Sequence, residues 1–62
     1  MKKEILKVTV IDLETGNRYS EKVEPYNKNV KEEQIETSKK RLVVKNKLSK
    51  ENCKTEYEIE TE

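Results

Sequence analysis

The segment ILKVTVIDL, residues 5–13, decides the fold, because it is the most apolar stretch of the chain. It is rich in β-branched residues and begins with apolar and polar residues in alternation, which predicts a β-strand. The letters ETGN at 14–17 follow, a pattern typical of a tight hairpin turn whose glycine takes the left-handed conformation. A second strand is predicted over 17–24, closed by Pro25, which lacks the N–H that a strand ladder requires.

Side-chain chemistry predicts a register for this hairpin. The register places Leu13 opposite Asn17, Asp12 opposite Arg18, and Ile11 opposite Tyr19. The last two are a pair of opposite charges and an aromatic/β-branched pair, both of which stabilise antiparallel strands.

The middle of the chain predicts a short helix over 29–39. Asn29 followed by Glu32 fits a helix N-cap with a glutamate three residues on. Acidic residues in the first turn and two lysines in the last suit the helix dipole. The apolar stripe is thin, since Val30 and Ile35 lie five residues apart, so tertiary contacts would have to hold the helix.

The last third of the chain predicts a second hairpin, with strands over 41–48 and 55–62 and a turn at 51–52. The first strand is basic and the second acidic, so charge sets the pairing. The pairs are Lys45 with Glu58, Lys47 with Glu56, and Arg41 with Glu62. A slip of one residue would set apolar side chains against these glutamates, so the pattern selects this register.

The predicted fold is therefore a small ββαββ domain of the α+β class, spanning residues 1–62 as a single unit. Its four-stranded mixed sheet resembles the β-grasp arrangement, with the first and last strands parallel at the centre and one short helix across one face. The first strand is apolar on both sides, as a central strand should be. The alternative is a mainly β protein with two hairpins and no helix.

Three short segments resemble those of ubiquitin-like domains. They are Val23-Glu24-Pro25 at the end of the hairpin, Asn29-Val30-Lys31 at the helix start, and Arg41-Leu42-Val43 at the third strand. The resemblance implies the same architecture. The Gly-Gly tail of that family has no counterpart, because Gly16 is the one glycine, so no conjugation function follows and the chain is assigned to no family.

Composition argues against an enzyme. Histidine, the usual general base near neutral pH, does not occur in the 62 residues. The single cysteine, Cys53, cannot build a structural zinc site, and one glycine cannot make a phosphate-binding loop. We therefore expect no catalytic residue, no cofactor and no metal.

A lone thiol suits a reducing compartment, and no apolar run approaches the length of a membrane span, so we expect a cytoplasmic protein that does not contact membranes.

Composition also argues for a partner. Only 31% of the residues are hydrophobic and 44% are charged, so folding buries little apolar surface. In the predicted fold, an apolar patch of Ile5, Ile11, Leu13, Tyr19 and Val23 faces away from the helix, and the last four are the candidate partner-binding residues. Such a patch is typical of an interface with another protein or a second copy of the chain. The alternative is that these residues belong to the core. The edge strand 17–24 offers a second docking mode, by strand addition.

The function favoured is thus a small non-enzymatic protein-binding module. Its size and composition suggest a phage or mobile-element inhibitor or adaptor that docks on a host protein. The alternative is a nucleic-acid-binding protein that uses the basic segment 39–50. Its candidate residues, called the basic set below, are Lys39, Lys40, Arg41, Lys45 and Lys47. A formal net charge of +1 and the predicted pairing with glutamates weigh against that alternative.

Overall fold

The computed structural model describes residues 3–61 and shows three strands and one long helix. The elements are β1 (Glu4–Asp12), β2 (Arg18–Val23), α1 (Lys31–Lys45) and β3 (Cys53–Thr61), with short 3₁₀ turns at Lys28–Val30 and Lys50–Asn52. The sheet order is β2-β1-β3, and β1 is antiparallel to both neighbours. The α+β class is confirmed. The four-stranded, β-grasp-like ββαββ arrangement is wrong, because the described chain forms a three-stranded antiparallel sheet in the order ββαβ.

The first hairpin forms where the sequence predicts it. Gly16 has a φ of 79°, the left-handed conformation expected for this turn. Strand β2 ends at Val23, two residues before Pro25. The predicted element and its turn glycine are thus confirmed.

The predicted register of the hairpin is wrong by one residue. Asp12, not Leu13, lies across from Asn17, and its N–H donates to the Asn17 carbonyl at 2.8 Å. The cause is local: the Asp12 carboxylate accepts hydrogen bonds from the Glu14 N–H at 2.9 Å and from the Thr15 hydroxyl at 3.1 Å. Aspartate therefore opens the turn through its own side chain, and every pair along β2 shifts by one.

Helix α1 replaces both the short helix predicted over 29–39 and the strand predicted over 41–48. Its buried residues, Ser38 and Leu42, lie four apart, as helical packing requires. Val44, an apolar residue within the predicted strand 41–48, is 77% exposed. The helix prediction stopped too early because a serine occupies a core position, and serine does not register as part of an apolar stripe.

The predicted N-cap is also displaced. The Asn27 side chain, rather than that of Asn29, accepts a hydrogen bond, and its donor is the Asn29 N–H at 2.9 Å. This bond caps the 3₁₀ turn that leads into α1. Glu32 and Glu33 do lie in the first turn of α1, as predicted, whereas the last turn holds Lys45.

The C-terminus of α1 has the hydrogen bonds of a Schellman motif. The Leu48 N–H donates to the Val43 carbonyl at 2.9 Å, and the Lys47 N–H donates to the Val44 carbonyl at 3.3 Å. Lys47 has a φ of 54°, so a lysine occupies the left-handed position that glycine usually takes. The helix therefore ends within the segment 41–48, which the sequence predicts as a strand.

The core lies between β1 and α1. Leu6, Val8 and Val10 of β1 are fully buried, and Leu42 of α1 is nearly so. Strand β1 is central, as its two apolar sides predict, and Ile5 is buried as well. The prediction that the last strand runs parallel to β1 is wrong, since β3 pairs with it antiparallel from Glu4 opposite Thr61 to Asp12 opposite Cys53.

The two faces of the sheet differ in what covers them. Side chains alternate between faces, and residues directly opposite one another share a face. Leu6, Val8 and Val10 thus mark the helix-side face, and the other side, which also holds the buried Ile5, is called the open face. Helix α1 packs on β1 and β2, while β3 lies beside it and receives little cover.

Candidate partner-binding surface

Two neighbouring large apolar side chains of β3 are exposed. The helix-side residues of this strand are Thr55, Tyr57 and Ile59, which lie opposite Val10, Val8 and Leu6 of β1. We call these three residues the β3 strip. Although their β1 partners are fully buried, Tyr57 is 49% exposed and Ile59 is 40% exposed. The cause is geometric, because α1 lies over the other two strands.

One side chain of α1 reaches the β3 strip. The Lys31 ammonium donates a hydrogen bond to the Tyr57 hydroxyl at 3.2 Å and lies 5.0 Å from the centroid of the Tyr57 ring. The hydrogen bond is the main cause of a raised pKa for Lys31, above the ordinary 10.5. The contact fixes the Tyr57 ring while leaving about half of the residue open to solvent.

The outer edge of β3 presents unpaired backbone groups. The Leu13 N–H donates to the Asn52 carbonyl at 2.9 Å, so Asn52 faces β1 through its backbone. Because the ladder alternates, residues 54, 56, 58 and 60 also face β1, and the N–H and C=O groups of the β3 strip point away from the sheet. The backbone edge and the exposed apolar side chains therefore belong to the same residues.

The open face of β3 is acidic. Glu56, Glu58 and Glu60, called the acidic row below, occupy three of the four open-face positions of the strand, and Lys54 occupies the fourth. Arg18 of β2 forms a salt bridge with Glu56 at 3.0 Å, and Lys22 of β2 forms one with Glu60 at 3.6 Å. Between residues 3 and 61, Glu58 forms no salt bridge, although Lys7 of β1 lies directly opposite it on the open face.

The structure does not bring the predicted apolar patch together. Tyr19 and Val23 lie opposite Val10 and Leu6, on the helix-side face, and both are half-buried. Ile11 lies on the open face, and Leu13 lies in the turn, 61% exposed. The one-residue error in register explains this separation, since it put Tyr19 on the same face as Ile11.

The basic set lies on α1 and the turn after it, not on a strand. The predicted cross-strand pairs of Lys45 with Glu58 and of Lys47 with Glu56 are wrong, because α1 and β3 do not pair. Arg41 instead forms a salt bridge with Glu21 at 3.0 Å, and its predicted partner Glu62 lies outside the described residues. The other four members have no salt bridge within 3–61.

A shallow groove runs along the outer side of α1. Its walls are mostly apolar and are formed by Glu36, Lys39, Lys40, Val43, Val44 and Lys50. The groove thus joins part of the basic set to the exposed Val44. It shares no residue with the β3 strip, which lies on the sheet.

Other chemistry-bearing groups are isolated. The Cys53 thiol is free and donates a hydrogen bond to the Ser49 carbonyl at 2.9 Å. Within residues 3–61, no group of three or more acidic or cysteine side chains is placed to hold a metal ion. In the same range, no helix is long and apolar enough to cross a membrane.

Sequence reasoning missed the exposure of Tyr57 and Ile59. It placed both under the helix, because it expected β3 at the centre of the sheet. The available signal was the alternation of glutamates with apolar residues over 56–60, which is equally typical of an edge strand with one solvated face.

Comparisons with known proteins do not assign the chain to a family. No protein-family model matches the chain, and the comparisons with curated proteins and with solved structures likewise returned no match.

Proposed function

We propose that the protein is a small non-enzymatic module that binds another protein through β3. The observation that carries the proposal is that α1 covers β1 and β2 but leaves Tyr57 and Ile59 of the β3 strip about half exposed. Exposed apolar side chains beside an unpaired strand edge are typical of an interaction site. The proposed site therefore differs from the predicted patch, whose members Ile11 and Tyr19 lie on opposite faces of the sheet.

The composition of the chain makes the proposed function more specific. A chain of 62 residues with so few apolar side chains is suited to act by occupying a surface of a larger protein rather than by transforming a substrate. We propose an inhibitor or adaptor of phage or mobile-element origin that works in the cytoplasm as a single domain. A second copy of the chain is the competing occupant of the β3 side.

A matched pair of variants tests the proposed site. Ile59→Thr keeps a β-branched residue in β3 but removes apolar surface from the β3 strip, whereas Leu13→Thr makes a similar change in the exposed turn. We expect affinity capture from cells that encode the protein to retain a specific protein with the wild type and Leu13→Thr, and to lose it with Ile59→Thr. Loss with Leu13→Thr and retention with Ile59→Thr would instead support the originally predicted patch.

Nucleic-acid binding is the second candidate, and one observation favours it. The acidic row pairs with β2, so it does not neutralise the basic set as the sequence predicted. Four cations of the basic set therefore remain available to phosphates on and just after α1. Their proximity to Glu32, Glu33 and Glu36 on the same helix weakens the positive field.

Salt-dependent binding distinguishes the two candidates. Under the second candidate, heparin retains the protein, and the double variant Lys40→Gln/Lys45→Gln elutes at clearly lower salt. Lys28→Gln/Lys54→Gln is the charge-matched control, because these lysines lie outside the basic set. Elution of the wild type at low salt, with no difference between the two double variants, would exclude the nucleic-acid reading.

A further inference from the structure

We propose that the free edge of β3 accepts an extended basic segment of the partner protein as a fourth strand. The segment carries lysine or arginine at every second position and small or apolar residues between them. This inference rests on the proposed function and names the chemistry of the partner at the same site. Three independent properties of β3 support it.

The first property is the supply of backbone hydrogen bonds. The outward groups of Thr55, Tyr57 and Ile59 form an evenly spaced row of donors and acceptors along a nine-residue strand. An added strand satisfies such a row directly, and its backbone bonds contribute affinity independent of side-chain identity. The nine residues of β3 exceed the six of β2, so β3 offers the longer free edge.

The second property is charge. The three carboxylates of the acidic row project from the open face at a spacing of about 6.8 Å, twice the rise of an antiparallel strand. An adjacent strand places alternate side chains on that same face at the same spacing. Cations at those positions meet Glu58, which has no salt bridge within 3–61, and share Glu56 and Glu60 with the cations of β2.

The third property is the apolar side of the same strand. The other alternate residues of an added strand project beside Tyr57 and Ile59, next to the flank of α1. Their side chains would cover the part of the β3 strip that α1 leaves exposed. A strand that is basic on one face and apolar on the other therefore complements β3 on both of its faces.

The same charges disfavour a second copy in some registers only. An antiparallel β3–β3 pair centred on residue 58 sets Glu58 against itself and Glu56 against Glu60. Pairs centred on residue 56 or 57 also set glutamates against each other, but they place Lys54 opposite Glu58 or Glu60. Like charges directly opposite one another destabilise paired strands. The β2 edge of another copy carries Arg18 and Lys22, but these cations already bind Glu56 and Glu60 of their own chain. Head-to-tail association would also build an open fibre.

The test uses a synthetic nonapeptide, acetyl-KVKTKVKTK-amide, titrated into the isotope-labelled protein and followed by amide NMR shifts. We expect saturable binding, with the largest shifts at Thr55, Tyr57 and Ile59. The same peptide with glutamate in place of lysine should not bind. Binding of both peptides with equal affinity would overturn the proposed charge complementarity.

Two N-methylated isomers of the peptide separate strand addition from electrostatic adsorption. One carries methyl groups on the lysine amides and the other on the valine and threonine amides. Only one of these sets can face β3, and which one depends on the direction of the added strand. We expect one isomer to lose binding at least tenfold and the other to keep it. Equal binding of the two would overturn the proposal.

Variants of β3 complete the test. Thr55→Pro removes an outward N–H without removing a bond to β1, and we expect it to weaken peptide binding at least tenfold. Thr55→Val is the control and should bind like the wild type. Glu58→Gln should weaken binding several-fold, with a reduced dependence on salt. Thermal melting confirms that each variant is folded at the temperature of the titration.

The outcomes also separate this inference from the proposed function. If the peptide fails to bind while Ile59→Thr still abolishes capture of a protein, the binding module stands and the basic strand is wrong. If sedimentation shows that the wild type forms concentration-dependent fibres that Arg18→Ala dissolves, the occupant is a second copy, and the proposal is also wrong.

Discussion

Strands β2 and β3 flank the same central strand, yet α1 covers β2 and leaves most of β3 uncovered. Strand β2 lies under α1, which also ties to it through the Arg41–Glu21 salt bridge at 3.0 Å. Strand β3 is held mainly by its ladder to β1 and by the Lys31–Tyr57 contact. A helix is about 10 Å wide and strands are about 4.8 Å apart, so one helix covers two strands and no more. In so small a domain, the third strand is left as a surface.

The largest expected difference between the α1-covered part of the sheet and β3 is in the stability lost when an apolar side chain is shortened. Leu42→Ala empties a buried position under α1, and we expect a loss of about 2–5 kcal/mol in the free energy of unfolding. Ile59→Ala removes a side chain that is already 40% exposed, so it should cost less than half as much. Urea denaturation of both variants gives the comparison. Equal losses would mean that β3 is as well packed as β2.

A second difference concerns two buried hydroxyl groups. Ser38 Oγ under α1 and Thr55 Oγ1 on β3 are both buried without a hydrogen-bond partner. Ser38→Ala removes the unsatisfied group and favours the helix, so we expect a gain of about 1 kcal/mol in unfolding free energy. Thr55→Val should give a smaller gain, because β3 is less enclosed.

Thermal melting of these two variants checks the difference. Destabilisation by Ser38→Ala would show that its hydroxyl is satisfied in solution. The reverse order of the two gains would indicate that β3 is the drier side of the sheet.

The end of α1 offers a change that should leave both strands untouched. Lys47 holds a left-handed conformation that costs a residue with a β-carbon roughly 1 kcal/mol. Lys47→Gly relieves this strain in the folded chain but increases the entropy of the unfolded chain, so the net gain should be about 0.5 kcal/mol. Lys47→Ala keeps the strain and serves as the control in the same melting experiment. An equal gain from alanine would contradict the conformational explanation.

The smallest expected effect concerns the contact of Lys31 in α1 with Tyr57 in the β3 strip. The pKa of Lys31 is raised in the folded chain, mainly by its hydrogen bond to Tyr57. The stability from this contact is fully present below pH 10.5 and declines as the pH rises through the folded-state pKa. Lys31→Met should therefore flatten the fall in melting temperature above pH 10, relative to Lys28→Met. Parallel curves for the two variants would contradict this linkage.

The sequence predicts the first half of the fold better than the second. The hairpin follows from the β-branched run and Gly16, which act over short distances and need no tertiary partner. The register failed by one residue because the Asp12 side chain closes the turn, a contact that competes with the charge pair expected for Arg18. Local patterning thus fixes which elements form more reliably than how they align.

The second half was mispredicted because its apolar pattern is ambiguous. Leu42, Val44 and Leu48 alternate as in a strand, while Ile35, Ser38 and Leu42 follow helical spacing. Ser38 decides in favour of the helix, because so small a residue lets α1 lie close to the sheet. Its burial is evident only from the structure. The location of the candidate site depended on this choice, because a longer helix removes one strand and turns β3 into an edge.

The acidic row also affects whether identical molecules aggregate. At neutral pH, repulsion between the acidic rows of two identical molecules opposes the pairing of their β3 edges. A long strand with a free edge is otherwise prone to aggregate in this way. Replacing the three glutamates by glutamine removes this repulsion and leaves the apolar side of the strand unchanged. The triple variant Glu56→Gln/Glu58→Gln/Glu60→Gln should therefore scatter light and bind amyloid dyes sooner than the wild type.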